Sequence, residues 1–378
     1  MKRVKTVGLY TILLTAIGLV TLVSSEIALR VSGHVPVASV HTVSQADYDR
    51  IPGMFEPFQD VTEKPHPRLH YHVSINSLGY RGREIDREKP AGIVRILCLG
   101  DSGTFGQFVN DPDTLSSVLE ENLRREGFPV EVINGGVPGT TIVDQMEFLR
   151  RGIVLKPDIV ILTFSENDIT DLAAEVPQYL ALERNRQLKS QPGLKPFYDV
   201  VRDTALFNYF LTVRATWAAR SIPAAQAAPA QPSPLLERES HESWWIRYSD
   251  QLEAMRQYLN DRKVRLLFNA FPTHQRIGPA AEMDRDLSSQ LERVELLARR
   301  KGIQTIEILP AFLQSGFTKE DLYLLPYDGH ANMNGYRLQA AALLPALREA
   351  VVAVIQRPLD AGPNHSVMEL ASYAPLVR

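Results

Sequence analysis

The chain has a single cysteine, Cys98, in 378 residues. One thiol excludes an internal disulfide and any cysteine-built zinc or iron–sulfur site, and is silent on compartment. No charge sign is in excess: Lys+Arg 41 against Asp+Glu 44 leaves −3. A nucleic-acid binder needs a basic surface, and the balance supplies none overall. Glycine (22) and proline (25) are too few and too scattered for a collagenous or low-complexity polymer. With 44% hydrophobic and 22% charged residues, the chain is also not wholly disordered. No internal repeat is present.

What the sequence does have is one long uncharged run. Thr6–Ser25 is 20 residues without a charge, with Lys2, Arg3 and Lys5 before it and Glu26 and Arg30 after it. At ~1.5 Å per residue, a helix of this length spans about 30 Å, the thickness of a hydrocarbon core. The basic flank keeps the first residues cytoplasmic and sends the body across. The alternative is a cleaved signal peptide and a secreted body. Against it, the apolar run is long, and Val23-Ser24-Ser25 is a weak cleavage site. The expected division is a membrane anchor or signal segment over 1–30, a lead-in over 31–90, a main domain over 91–356 and a tail over 357–378.

Within the main domain, short runs rich in Val, Ile and Leu recur at Val94–Leu99, Val130–Ile133, Ile159–Phe164, Val264–Phe268 and Thr305–Leu309. They are nearly continuous rather than alternating, as in strands buried on both faces of a parallel sheet. Helical patterns separate them, at about 113–126, 141–155, 245–261 and 282–301, with a last one at 333–355. Alternating strands and helices predict an α/β, doubly wound, five-stranded parallel sheet. Residues 172–240 are too long for a simple connection and predict an insertion, with 222–234 as an Ala- and Pro-rich linker. A cap over the sheet edge and a structural excursion without a binding role are equally good readings of that insertion.

In an open α/β sheet, ligands bind beyond the carboxyl ends of the strands. The first strand runs into Gly100-Asp101-Ser102-Gly103, the second into Asn134-Gly135-Gly136-Val137-Pro138-Gly139, and the third into Ser165-Glu166-Asn167-Asp168. Asp328-Gly329-His330 precedes the last helix, for which Asn332 is the expected cap. Residues two apart in an extended segment share a face, so the Asp328 carboxylate can hold one nitrogen of His330 and leave the other free as a base. Taken alone, each block has a plainer explanation: a capping serine, a Gly/Pro loop, a capping Asn or Asp, a solvated histidine. Their joint order does not.

That order resembles the SGNH/GDSL hydrolase family over about residues 94–350, with 172–240 unmatched. The resemblance implies a flavodoxin-like sheet and serine acyl chemistry on esters. On the family's pattern Ser102 is the nucleophile. The oxyanion donors fall on the Ser102 backbone, Gly139 and Asn167, and the Asp and His on Asp328 and His330. The run Ile75-Asn76-Ser77-Leu78-Gly79-Tyr80-Arg81-Gly82 is similar to the lead-in of membrane-anchored members, where its role is structural. Two positions depart from the pattern. Ser165 stands where the third block usually starts with Gly. The fourth block is Asp-x-His instead of Asp-x-x-His, a short spacing similar to that of polysaccharide O-acetylating relatives.

The leading expectation is an extracytoplasmic, membrane-anchored esterase or deacetylase, with an ester or O-acylated carbohydrate as substrate. It has no cofactor, no metal and no nucleic-acid partner. An O-acyltransferase of a cell-surface or exported polysaccharide, and an inactive glycan-binding or scaffold relative, are the alternatives. Several other side chains have plain explanations. His66, His70 and His72 lack a cysteine partner and fit a surface strand or loop. Glu166 and Asp168 fit local capping. Trp244 and Trp245 fit packing first and glycan stacking second. Cys98 fits burial within the first strand.

Overall fold

The computed structural model describes residues 2–32, 40–44, 47–66, 69–172, 193, 201, 204–207, 209, 210, 213, 234–278 and 285–357. Most of the 172–240 insertion, the proposed linker and the tail therefore lie outside the described residues.

Five parallel strands form the central sheet: β3 (Val94–Leu99), β4 (Val130–Asn134), β5 (Ile159–Ser165), β6 (Arg265–Phe271) and β7 (Gln304–Glu307), in the order β4-β3-β5-β6-β7. This is the doubly wound, flavodoxin-like order, whose direction reverses between β3 and β5. The apolar runs are continuous because alternate residues feed two different cores. Ile96 and Cys98 of β3 and Ile159 and Ile161 of β5 join one cluster with Leu119 and Leu123 of α3 (Leu115–Arg125) and Leu343 and Leu347 of α10 (Met333–Ile355). Leu97 and Leu99, with Val160, Leu162 and Phe164, join the other. There they meet Met146 and Leu149 of α4 (Ile142–Gly152), Leu252 and Met255 of α6 (Pro234–Asn260) and Val294 and Ala298 of α7 (Arg285–Arg300).

Three local differences from the sequence reading have simple causes. The last strand stops at Glu307, because Pro310 sits in the first turn of a short helix, α8 (Leu309–Gln314), and Ile308 buries as its N-cap. Helix α6 begins at Pro234, so residues 234–240 of the expected insertion are helical. The lead-in holds an antiparallel hairpin, β1 (Asp60–His66) and β2 (Leu69–Ser74). In β2, Tyr71 and Val73 point into the second core while His70 and His72 alternate outward.

The expected N-terminal span is the helix α1 (Lys2–Val31). Among its described side chains, Ile12, Leu14, Ile17, Leu19, Val20, Leu22 and Val23 are all exposed. Among the described residues, two helices are long and apolar enough to cross a membrane, Tyr10–Val31 within α1 and α10. The second is explained by packing, since Ala340, Leu343, Leu347 and Val351 are buried against the sheet. Among the described residues, nothing of that kind covers the apolar length of α1.

Candidate active site

At the carboxyl end of β3 the chain turns through Asp101 into α2 (Ser102–Phe105), a single helical turn. Asp101 Oδ1 accepts from the Gly103 N–H at 2.9 Å and caps it. Gly106 closes it in the left-handed region (φ 83°), and Gly106 N–H donates to Ser102 O. A Cβ at Gly106 would also lie 2.6 Å from Thr114 Cγ2, so glycine is required there on two grounds.

The loop after β4 packs directly on this turn. A Cβ on Gly136 would lie 2.1 Å from Phe105 N, so only glycine permits the approach. Val137 N–H donates to Gly100 O at 3.1 Å. The loop after β5 is tied in from the other side, where the Ser165 hydroxyl donates to Asp101 Oδ1 at 2.8 Å. The Ser165 departure thus contributes a hydroxyl contact to the nucleophile turn. Burial pushes the Asp101 carboxyl above the usual range, against the pull of these donors and of nearby His330.

The Asp328–His330 segment meets Ser102 across this end of the sheet. His330 Nε2 lies 2.8 Å from Ser102 Oγ. His330 Nδ1 lies 2.5 Å from Asp328 Oδ1, which also accepts from the His330 backbone N–H at 2.8 Å. One carboxylate oxygen therefore fixes both the ring and the backbone that carries it. Asn332, two residues on, caps α10 through the N–H groups of Asn334 and Gly335. The ring is held on its flank by Phe108, edge-on at 5.2 Å between centroids. Phe108 adopts φ 69°, a left-handed conformation that is strained for an aromatic residue. No sequence signal pointed to it.

Gly139 and Asn167 are placed less directly. Gly139 is exposed at the end of its loop (φ 71°), with open space where a Cβ would stand. Asn167 opens α5 (Asn167–Asp171) and is exposed; its Nδ2 donates to Asp171 Oδ2 at 2.7 Å, and its amide also bonds Asp101. Asn167 thus meets the Ser102 turn at Asp101, beside Ser165, whereas the contacts of the Gly139 loop with that turn run through Gly136 and Val137.

The remaining candidates resolve into structure. Glu166 is buried against Arg276 at 2.7 Å and accepts from Thr273 Oγ1 at 2.8 Å, so it locks the β5 loop to the loop after β6 instead of capping locally. Asp168 Oδ2 accepts from the Ser165 N–H, which is local capping, and burial raises its carboxyl well above the usual range. His72 pairs with Asp60 at 2.6 Å, and among the described residues no cluster of His, Cys, Asp and Glu could hold a metal ion. Trp245 is buried beneath the Arg293 guanidinium, 4.3 Å from its ring centroid. Cys98 is fully buried, which pushes its thiol up to about 12.

Arg81, in the lead-in run, does more than the sequence suggested. Its side chain is fully buried and all five donors are used. Nε donates to Asp111 Oδ1, one terminal nitrogen to Phe105 O and Gly106 O, and the other to His72 O and Val109 O. The guanidinium also lies over the Phe105 ring at 4.8 Å. One side chain thereby ties the lead-in to both ends of the 105–109 loop. A separate concavity of about 590 Å³ lies between the lead-in and α3. It does not include Ser102, and its arginines 83, 124 and 125 pair with Glu120, Glu121 and Glu131.

Comparison with known proteins identifies the family of the main domain. The family model for the GDSL-like Lipase/Acylhydrolase family matches residues 98–338. The chain belongs to that family and is by membership a hydrolase acting on ester bonds. Similar solved structures include an acetyl xylan esterase, AlAXEase, at 16% identity and TM-score 0.41, covering 67% of this chain and 100% of that one. The lipase/acylhydrolase from Enterococcus faecalis is similar at 18% identity and TM-score 0.38, covering 68% and 96%. A putative lipolytic protein of the G-D-S-L family from Desulfitobacterium hafniense DCB-2 follows at 14% and 0.37, covering 67% and 98%. No curated protein shows a significant match to the chain.

Proposed function

We propose that this chain is a serine esterase or deacetylase in which Ser102 is the nucleophile, His330 the base and Asp328 the group that orients the ring. The observation that carries the reading is the unbroken path from Asp328 Oδ1 through His330 to Ser102 Oγ, at 2.5 and 2.8 Å. A serine hydroxyl is a poor nucleophile at its own pKa and needs an adjacent base. His330 Nε2 takes the Ser102 proton as Oγ bonds to the ester carbonyl carbon. Asp328 stabilises the imidazolium that forms. The developing oxyanion is received by the backbone N–H groups of Ser102 and Gly139 and by the Asn167 amide. To serve, that amide gives up one of its bonds to Asp171 or Asp101. The tetrahedral intermediate collapses, the leaving alcohol takes the proton from His330, and the acyl group stays on Ser102. Water, deprotonated by His330, then releases the acid.

We further propose that α1 anchors the protein in a membrane, with the catalytic domain on the extracytoplasmic side. The uncharged run from Thr6 to Ser25, its basic N-terminal flank and the exposure of its apolar side chains support this reading. Acylated carbohydrate at the cell surface is then the substrate class within reach.

The test is hydrolysis of p-nitrophenyl acetate and of acetylated oligosaccharide by the full chain in detergent, beside Ser102→Ala. Hydrolysis that is lost in the variant supports the assignment; equal rates overturn it. Mass spectrometry of the products separates water from a sugar hydroxyl as acceptor. Acetylated sugar forming in preference to free acetate favours the acyltransferase.

A further inference from the structure

His330 is held by two hydrogen bonds, Nδ1 to Asp328 and Nε2 to the Ser102 hydroxyl. Such bonds run near the plane of the ring, so a ring held by them alone can still tilt. The Phe108 ring opposes that tilt. It stands edge-on against the imidazole, with centroids 5.2 Å apart. It does so from the left-handed region (φ 69°), which is costly for an aromatic residue and persists only where the surroundings impose it.

Those surroundings belong to the lead-in hairpin. The Tyr71 ring packs edge-on against Phe108, with centroids 5.6 Å apart, and the Tyr71 hydroxyl is bonded by the Phe108 backbone. That hydroxyl donates in turn to Glu63 Oε2, on the residue paired with Tyr71 across the hairpin. The other oxygen of Glu63 accepts from the Val40 N–H at 3.0 Å. Further along β2, the His72 N–H donates to Asn110 Oδ1 at 3.0 Å and the Ser74 N–H to Asp111 Oδ2 at 2.9 Å. Arg81 holds the carbonyls on either side of Phe108, those of Gly106 and Val109.

We propose that Phe108 is a positioning residue for His330, and that the Glu63–Tyr71 pair holds Phe108 in place, which makes the lead-in hairpin part of the active site. The inference rests on the reading of His330 as the base for Ser102. Glycine enters the left-handed region freely, so the backbone at 108 alone would favour glycine. An aromatic ring stands there against that preference, and the rings it meets are the imidazole and Tyr71. The gain is alignment of Nε2 with the Ser102 hydroxyl. Misplacing a catalytic group by about 1 Å costs on the order of 10²-fold in rate.

The test uses the full chain in detergent with p-nitrophenyl acetate as substrate. Phe108→Gly removes the ring and relieves the backbone. Phe108→Asn, which also tolerates the left-handed region, takes its place if the glycine variant unfolds. The expected result is kcat lowered by roughly 10- to 100-fold with KM and thermal unfolding unchanged, and kcat restored in Phe108→Tyr. The far-downfield proton resonance of the Asp328–His330 bond should broaden in Phe108→Gly and persist in Phe108→Tyr. Tyr71→Phe, which keeps its ring and loses the hydroxyl, should lower kcat several-fold. Parent kcat in Phe108→Gly would overturn the positioning role, and a raised KM at parent kcat would overturn it by making the ring a substrate contact. Parent kcat in Tyr71→Phe would overturn the part given to the hairpin. These outcomes leave the triad standing if Ser102→Ala is inactive; a Ser102→Ala variant as fast as the parent would overturn the triad, and this inference with it.

Discussion

Replacing Asp328 separates two roles that the geometry combines. Both donors on His330, the ring Nδ1 and the backbone N–H, converge on Asp328 Oδ1. An asparagine at 328 can present its carbonyl oxygen at the same place and keep the ring's orientation and tautomer, so Asp328→Asn removes the charge more than the geometry. Two unit charges about 4 Å apart in a partly exposed site interact by roughly 4 kcal/mol at an effective dielectric of 20. Asp328 and His330 side chains are about 30% exposed, 29% and 30%, so solvent screens part of that. A remaining stabilisation of about 2–3 kcal/mol corresponds to a loss of roughly 30- to 150-fold in kcat, with KM little changed. Asp328→Ala also releases the ring and the His330 backbone, and should lose about 10³-fold or more. Stopped-flow or steady-state rates on p-nitrophenyl acetate, with circular dichroism as a check on folding, give both numbers. Rates within threefold of the parent for both variants would refute the proposed role of Asp328.

Three further outcomes follow from single residues. Asn167→Ala should lower kcat by ~10²–10³ on the same ester while leaving thermal unfolding unchanged; an unchanged kcat would place the oxyanion elsewhere. Arg81→Lys offers three donors from a single nitrogen where the guanidinium makes five bonds from three. It should destabilise the fold by about 3–5 kcal/mol in urea titration, and a loss under ~1 kcal/mol would contradict that accounting. Burial, reinforced by the nearby Glu307 carboxylate, pushes Glu295 up to about 7 from 4.5. The folded state therefore binds this proton more tightly than the unfolded chain. The stabilisation is complete below about pH 4.5 and is lost as pH rises through about 7. Glu295→Gln should flatten that dependence and exceed the parent by roughly 1–3 kcal/mol above pH 7.5. Parallel stability profiles for the two proteins would show that Glu295 does not carry the slope.

The sheet was legible because strands buried on both faces write themselves as unbroken apolar runs; Val94–Leu99 coincides with β3 residue for residue. The start of α10 was legible from Asn332, whose cap is local chemistry. The Asp328–His330 contact was expected from spacing by two in an extended segment, but the chain bends at 329–330 and the pair meets through a local turn in which Asp328 Oδ1 also accepts from the His330 N–H. Long-range polar contacts were not legible. Nothing in the sequence neighbourhood of Arg81 indicates that its partners lie at 105, 106, 109 and 111, or that Glu166 meets Arg276 across 110 residues. Phe108 was hidden for a different reason, because a left-handed aromatic is a cost imposed by its surroundings and has no local signature. The β1–β2 hairpin did leave a trace. Tyr71 and Val73 alternate with His70 and His72, but two periods in a histidine- and proline-containing stretch are too short to distinguish from loop.

The most direct measurement is covalent capture of the nucleophile. The full chain is treated with a fluorophosphonate, digested, and the modified peptide mapped by tandem mass spectrometry. A single adduct on Ser102, slowed strongly by Asp328→Ala and absent in Ser102→Ala, is the predicted result. An adduct on another residue, or labelling that persists in Ser102→Ala, would contradict the account.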